Sequence, residues 1–183
     1  MTVKNTEDSY GLVTQLLHWI VGVMIVSMII VGFSMQNIED PVVKQQIYAS
    51  HKAIGVMVLL LVSIRLLWRL INIRVILPSD LPKWQKNAAT LNINILYLLM
   101  FIMPISGVLM TILSGRNIDI YGLFTITSFI QNALFAKIFY KMHEFSAFIL
   151  CALIALHTLA AFYHHFVRKD DVLKRMWFNN RNN

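Results

Sequence analysis

Four stretches of the chain, at about 12–35, 53–73, 91–113 and 145–167, are apolar almost without interruption, and the polar residues gather between them. The pattern shows neither the one-sided stripe of a half-buried helix nor the alternation of a strand, so each stretch reads as a helix apolar on every face. A hydrocarbon core about 30 Å thick takes roughly 20 such residues, and all four stretches reach that length. The first, LVTQLLHWIVGVMIVSMIIVGFSM, is too long for a signal-peptide core and no small-residue cleavage site follows it, so it is expected to stay as a transmembrane helix. The second closes on Arg65 and Arg69, whose long stems can snorkel to the headgroups, before Pro78 and Pro82 break the chain. The third holds Pro104 and Gly107, and a kink is expected near Pro104. The segment 114–142 is too long for a turn. Its apolar middle is interrupted by Asp119, Gly122, Gln131 and Asn132, and reads as a surface-lying or re-entrant cover on the bundle. The expected fold is all-α, an integral membrane four-helix bundle that uses residues 1–183 as a single domain.

Composition points the same way, with 57% hydrophobic and only 14% charged residues, where a soluble domain carries roughly 25% charged. A formal net charge of +7 would suggest nucleic acid in a soluble protein. Here the distribution gives it another meaning. Four spans put both termini on one side, and that side collects eleven basic residues, Arg65, Arg69 and Arg181 among them, against five acidic ones, a net of +6. The other side holds five basic and four acidic residues, a net of +1. Basic residues mark the cytoplasmic face, so both termini are expected there, lipid is the first partner, and no nucleic-acid partner is implied. The single cysteine, Cys151, rules out a CxxC metal pair or a thioether attachment site within the sequence.

Histidine is the residue out of place. His18, His51, His143 and His157 lie inside or at the ends of the apolar stretches, where polar groups are costly and usually functional. His143 and His157 are 14 residues apart on the fourth helix, about four turns and some 21 Å along its axis. With the 3.5-residue period of a left-handed bundle, both face one seam. His51 opens the second helix at the outer level of His143, and His18 lies in the inner half with His157, so two cross-bundle pairs are expected. His164, seven residues beyond His157, projects toward the same seam and competes for the inner role, whereas His165 points elsewhere. Two imidazoles from facing helices in an apolar interior suit the axial positions of a haem iron. Zinc would want Cys, Asp or Glu as further ligands, and Ala147 stands where an HExxH motif needs its second histidine. Two stacked b-type haems are therefore expected, with electron transfer across the membrane. Arg65 and Arg69 are candidates for the haem propionates. Lys52, Lys137 and Lys141 cluster in sequence around the outer ligands and are candidates for steering an anionic donor. A haem-free transporter moving protons or metal through the same histidines is the competing class.

Taken together these residues resemble the bacterial cytochrome b561 family of four-helix dihaem membrane proteins. The resemblance covers almost the whole chain: His18-Trp19, the run from His51 through Gly55, Arg65 and Arg69, then Tyr97, Pro104 and Gly107, Gly122, His143-Glu144, and His157 with the ending HHFVRKDDVLKRM. It implies His18, His51, His143 and His157 as the haem ligands, and so decides the inner site against His164. Many members carry a histidine shortly before the tyrosine of the third helix, where this chain has Ile93, so no role assigned to that histidine carries over. The resemblance further implies a place in the bacterial inner (cytoplasmic) membrane. Among the family's activities, superoxide:ubiquinone oxidoreduction fits this chain's length and outline, with superoxide as outer donor, ubiquinone as acceptor, and His164 or the outer loop as a quinone contact. A relay subunit docked to a periplasmic dehydrogenase or hydrogenase is the alternative.

Overall fold

Asp40 and Pro41 decide where the second helix starts. The Asp40 carboxylate accepts from the backbone N–H groups of Val42 (2.8 Å) and Val43 (3.0 Å), donors that a first turn otherwise leaves unpaired. Pro41 occupies the first helical position, where its missing N–H costs nothing. In the computed structural model, which describes residues 2–178, helix α2 accordingly runs Pro41–Leu70, beginning well before the apolar stretch it contains and leaving residues 71–73 outside it. Helix α1 covers Leu12–Ser34 and continues as a 3₁₀ turn, and α3 covers Lys83–Leu113 with Pro104 inside an uninterrupted helix. Helix α4, Ala133–Phe162, passes into a turn of π-helix over Tyr163–Arg168. All four are long and apolar enough to cross a membrane. Arg181 of the charge argument lies outside the described residues.

The expected helical membrane bundle is thus present, with differences between α3 and α4. Asn132 caps α4 by accepting from the Phe135 N–H (3.1 Å), so residues 133–142, read from the sequence as the end of an outer loop, are helical. The shorter link that remains folds as a hairpin. Strand β1, Ile118–Ile120, pairs antiparallel with β2, Phe124–Ile126. Its turn places Tyr121 and Gly122 at positive φ (50° and 74°), the twist that a tight hairpin prefers. Asp119 braces the turn, accepting from the Gly122 N–H (3.0 Å) and the Thr125 hydroxyl (3.1 Å). Ile118 and Ile120 are buried against Ala53 of α2, so the hairpin covers one end of the bundle rather than floating beside it.

The core is a narrow seam: Val21, Ile25 and Ile29 of α1, Val58 and Val62 of α2, Leu99 and Met100 of α3, and Leu150 of α4. Large apolar side chains cover the outside, with Val23, Leu60, Leu98 and Leu156 all more than half exposed. Such a surface is at ease only in lipid. The first and last described segments of the chain gather at the end of the bundle opposite the hairpin. There Asn5 donates to the Ile73 carbonyl (2.9 Å), Ile76 to the Glu7 carbonyl (2.8 Å), and Gln15 on α1 to the carbonyls of Arg175 (3.1 Å) and Trp177 (3.2 Å). Trp19 adds a bond to the Met176 carbonyl (2.9 Å) and a T-shaped contact with Trp177. This terminal end and the hairpin end define the axis of the molecule.

Candidate functional site

Four half-buried imidazoles meet in two pairs across the seam. At the hairpin end His51 of α2 faces His143 of α4, ring centroids 6.4 Å apart and planes at 82°. Toward the terminal end His18 of α1 faces His157 of α4 at 6.1 Å and 57°. An iron bound at about 2 Å by one nitrogen of each ring, with the ring centroids about 1 Å further back, spans roughly 6 Å from centroid to centroid. Both separations match that span and are too long for a direct hydrogen bond between the rings to be the reason for the pairing. Among the described residues no three His, Cys, Asp or Glu side chains converge as a metal set, so paired imidazoles are what the bundle offers.

The rings are held to different degrees. His143 Nδ1–H donates to the Met103 carbonyl (2.7 Å), which fixes the tautomer and leaves Nε2 with its lone pair for a metal. Gly107, one turn further along α3, makes room for that ring, since a Cβ there would lie 3.1 Å from His143 Cε1 and Nδ1. His51 Nδ1 is buried without a partner, an expense of about 1–3 kcal/mol that a ligand at the ring can offset. The cleft lined by His51, His143, Gly55, Gly107, Met100 and Leu150 is almost wholly apolar, as a porphyrin face requires. At the other pair His18 Nδ1 accepts from Arg65 Nη2 (2.9 Å). A guanidinium can only donate, so this contact puts the neutral ring's proton on Nε2. Iron at Nε2 needs the opposite tautomer. Arg65 therefore has to leave His18 for another acceptor when a metal binds there.

Arg65 and Arg69 stack on the ring of Tyr97, at 5.5 and 4.8 Å from its centroid. Tyr10 and Arg175 complete the cluster; from the sequence Arg175 counts only among the inner-side charges, and Tyr10 has no role. Burial pushes the Tyr10 phenol up from its ordinary value, more than Arg69, Arg175 and Arg65 lower it, so it remains a hydroxyl donor. Among the described residues no ion pair to a carboxylate forms at Arg65 or Arg69. Two guanidinium groups and a phenol, joined to His18 through Arg65, can receive an anionic carboxylate pair such as haem propionates.

The three lysines fare unequally. Lys52 lines the same cleft as His51 and His143, its ammonium 3.5 Å from the Asn117 carbonyl and within electrostatic reach of Arg116, a second cation that the sequence places on the outer side without marking it for steering. Lys137 is exposed on α4. Lys141 is ion-paired to Glu144 (2.6 Å), which offsets its charge at distance. His164 lies beyond His157 on the π-helical turn and bonds to Asp170 (2.5 Å), while His165 packs on Phe166 with its Nδ1 buried and unpartnered.

The chain is also similar to known proteins. Residues 9–179 match the family model described as prokaryotic cytochrome b561. "Cytochrome b561 homolog 2" of Escherichia coli (strain K12) is 30% identical over 181 residues, covering 96% of this chain and 95% of that protein. "Cytochrome b561 homolog 1" of the same strain is 34% identical over 96 residues, covering 52% of this chain and 54% of the relative. The "Probable superoxide oxidase CybB" of Yersinia pestis is 28% identical over 167 residues, covering 87% of this chain and 90% of that protein.

Proposed function

The chain belongs to the prokaryotic cytochrome b561 family, and from that membership we propose a specific electron path through a multi-pass membrane protein that binds b-type haem. It holds two haems, one between His51 and His143 and one between His18 and His157, and passes electrons from superoxide at the hairpin end to ubiquinone in the membrane. The spacing of the two imidazole pairs, 6.4 and 6.1 Å at two depths of one bundle, is the observation that carries this reading. The superoxide assignment draws on the Yersinia pestis relative and on the cations at the hairpin end.

Haem supplies a one-electron iron couple at each pair. The residues of the chain do the rest. His143, anchored on Met103, and His51 fix the hairpin-end site, and the apolar walls around them exclude water. Lys52, Lys137 and Arg116 attract a small anion toward His51, with Lys141 contributing less because Glu144 holds it. At the terminal end Arg65, Arg69 and Tyr10 supply cationic and phenolic donors for the propionates, Arg65 giving up His18 as the ligand tautomer forms. His164 contacts the quinone. Two superoxide anions each give up one electron and leave as dioxygen, and the quinone takes both electrons with two protons to become the quinol.

Purified protein mixed with superoxide in a stopped-flow instrument should show haem reduction, followed by reoxidation on adding a ubiquinone analogue. A protein reduced by quinol but never by superoxide would move the donor to a partner dehydrogenase or hydrogenase. Absence of any haem from the purified membranes would end the reading altogether.

A further inference from the structure

We propose that His164 and Asp170 form a proton-delivery pair for the quinone, tethered by Arg168 to Asp80 at the aqueous surface; the inference rests on the ubiquinone reading above. The two residues are six apart in sequence, and only local backbone geometry brings them together. The helical repeat of α4 widens to a π-turn over Tyr163–Arg168, a device often found at functional positions. Lys169 then takes a left-handed conformation (φ 57°), and the Asp170 N–H closes the turn on the His164 carbonyl (3.2 Å). His164 Nδ1–H donates to Asp170 Oδ2 (2.5 Å), and the Val172 N–H occupies Asp170 Oδ1 (3.1 Å). Arg168 bridges outward, Nε to Asp170 Oδ2 (3.3 Å) and Nη2 to Asp80 Oδ2 (2.6 Å).

Exposure is graded along this chain of groups: the Asp80 side chain is 70% exposed, Arg168 21%, Asp170 17% and His164 16%. A helix stop needs only the backbone bond and the left-handed residue. The imidazole, the carboxylate and the bridging guanidinium are additional, and they run from the exposed Asp80 to the turn that closes α4. Burial raises the Asp170 carboxyl, but bonds from His164, the Val172 N–H and Arg168 hold it below the ordinary carboxylate range. Asp170 is then an anion at neutral pH, the shared proton stays on His164 Nδ1, and Nε2 is the nitrogen that takes and gives the exchanged proton. Arg168 stays charged throughout and only holds the two carboxylates in place.

The balance fits a quinone. Each reduction consumes two electrons, arriving singly through the haems, and two protons, which the apolar seam of the bundle cannot carry. Water at the terminal end reprotonates His164 after each transfer from Nε2 to a quinone oxygen. Asp170 acts through its bond to His164, so it is a positioning residue.

The test uses reduced dihaem protein mixed with a water-soluble ubiquinone analogue, following haem reoxidation. Asp170→Asn should slow reoxidation about 10-fold or more, within the range by which positioned acids assist proton transfer, with the analogue's half-saturating concentration and the haem spectrum unchanged. Asp170→Glu should recover most of the rate. His164→Ala should be slow and partly restored by free imidazole, which a purely structural loss would not allow. Redox-difference infrared spectra should show an imidazole band on quinone reduction in the parent, displaced in Asp170→Asn and missing in His164→Ala. Parental rates in Asp170→Asn, or no imidazole rescue in a protein with an intact haem spectrum, would overturn the proposal. Failure of the analogue to oxidise the parent haem would instead remove the ubiquinone reading, and the pair's role with it.

Discussion

A single hydrogen atom at position 107 decides whether His143 can keep its place. A Cβ on Gly107 would lie 3.1 Å from two atoms of the imidazole and push the ring off the Met103 carbonyl. Alanine would favour the helix itself by up to about 1 kcal/mol, so any harm from Gly107→Ala, and more from Gly107→Val, falls on the site. Pyridine haemochrome analysis should recover close to two haems per chain from the parent and nearer one from Gly107→Val. His51→Ala and His143→Ala should remove the same spectral component, and His18→Ala and His157→Ala the other; a shared loss in His51→Ala and His157→Ala would mean the pairs are wrongly drawn. These histidines were legible in the sequence because an imidazole in an apolar run stands out and helical spacing puts two of them on one seam. Tyr10, Arg175 and Asp170 were not. Tyr10 and Arg175 acquire their neighbours only when the two ends of the chain fold back onto the bundle, and Asp170 reaches His164 through a π-turn and a left-handed residue that helical periodicity does not announce. The Arg65 contact with His18 was hidden for another reason: a snorkelling arginine and one turned inward have the same sequence signature.

Elements show the same division between what a pattern states and what local chemistry adds. The apolar runs gave the helices and their order, since a spanning segment has little else open to it in hydrocarbon, but they understated α2, α3 and α4, which begin at Pro41, Lys83 and Ala133, α2 and α4 behind the polar caps Asp40 and Asn132. Asp40→Ala removes an acceptor from two N–H groups and should cost about 1 kcal/mol, read as a lower unfolding midpoint in detergent with haem content unchanged. The hairpin was less legible, because two three-residue strands in an apolar loop look like a surface-lying segment until Tyr121 and Gly122 are seen at positive φ. Its position over α2 sets the electrostatics of the cleft mouth by carrying Asn117 beside Lys52. Lys52→Gln should therefore slow haem reduction by superoxide and flatten its dependence on salt, since the Debye length is about 8 Å at physiological ionic strength. Lys141→Gln should do less, its charge being already offset by Glu144. Reduction by a membrane quinol should be nearly unaffected in both, and equal superoxide rates in parent and Lys52→Gln would discard the steering role.

For the whole molecule the open quantity is direction. The bundle fixes that the N-terminal segment, the link from α2 to α3 and the C-terminal strap share one end, bound together by Asn5, Gln15, Trp19 and Arg175. It fixes equally that the hairpin covers the other end, near the His51 and His143 pair. Which end faces the cytoplasm is proposed from charge alone, the net of +6 against +1 favouring the terminal end. That assignment carries the chemistry with it. On the proposed function superoxide, an anion that apolar side chains will not pass, would reach only the haem whose cleft opens on its own side, and protons for a quinone at His164 would come from the side of Asp80. The orientation can be read with a membrane-impermeant thiol reagent on intact cells, in a Cys151→Ala background so that each introduced cysteine is the sole thiol of the sequence. A cysteine at Leu123, 83% exposed at the hairpin turn, should be labelled from outside, and one at Ser79 in the exposed link before α3 only after the cells are opened. A reporter that folds only in the cytoplasm should be active when fused after residue 183. The reverse labelling would put the Lys52 cleft in the cytoplasm and the His164 pair outside, and superoxide generated outside would then meet the terminal end first, where Arg65 and Arg69 rather than Lys52 would be the cations to test.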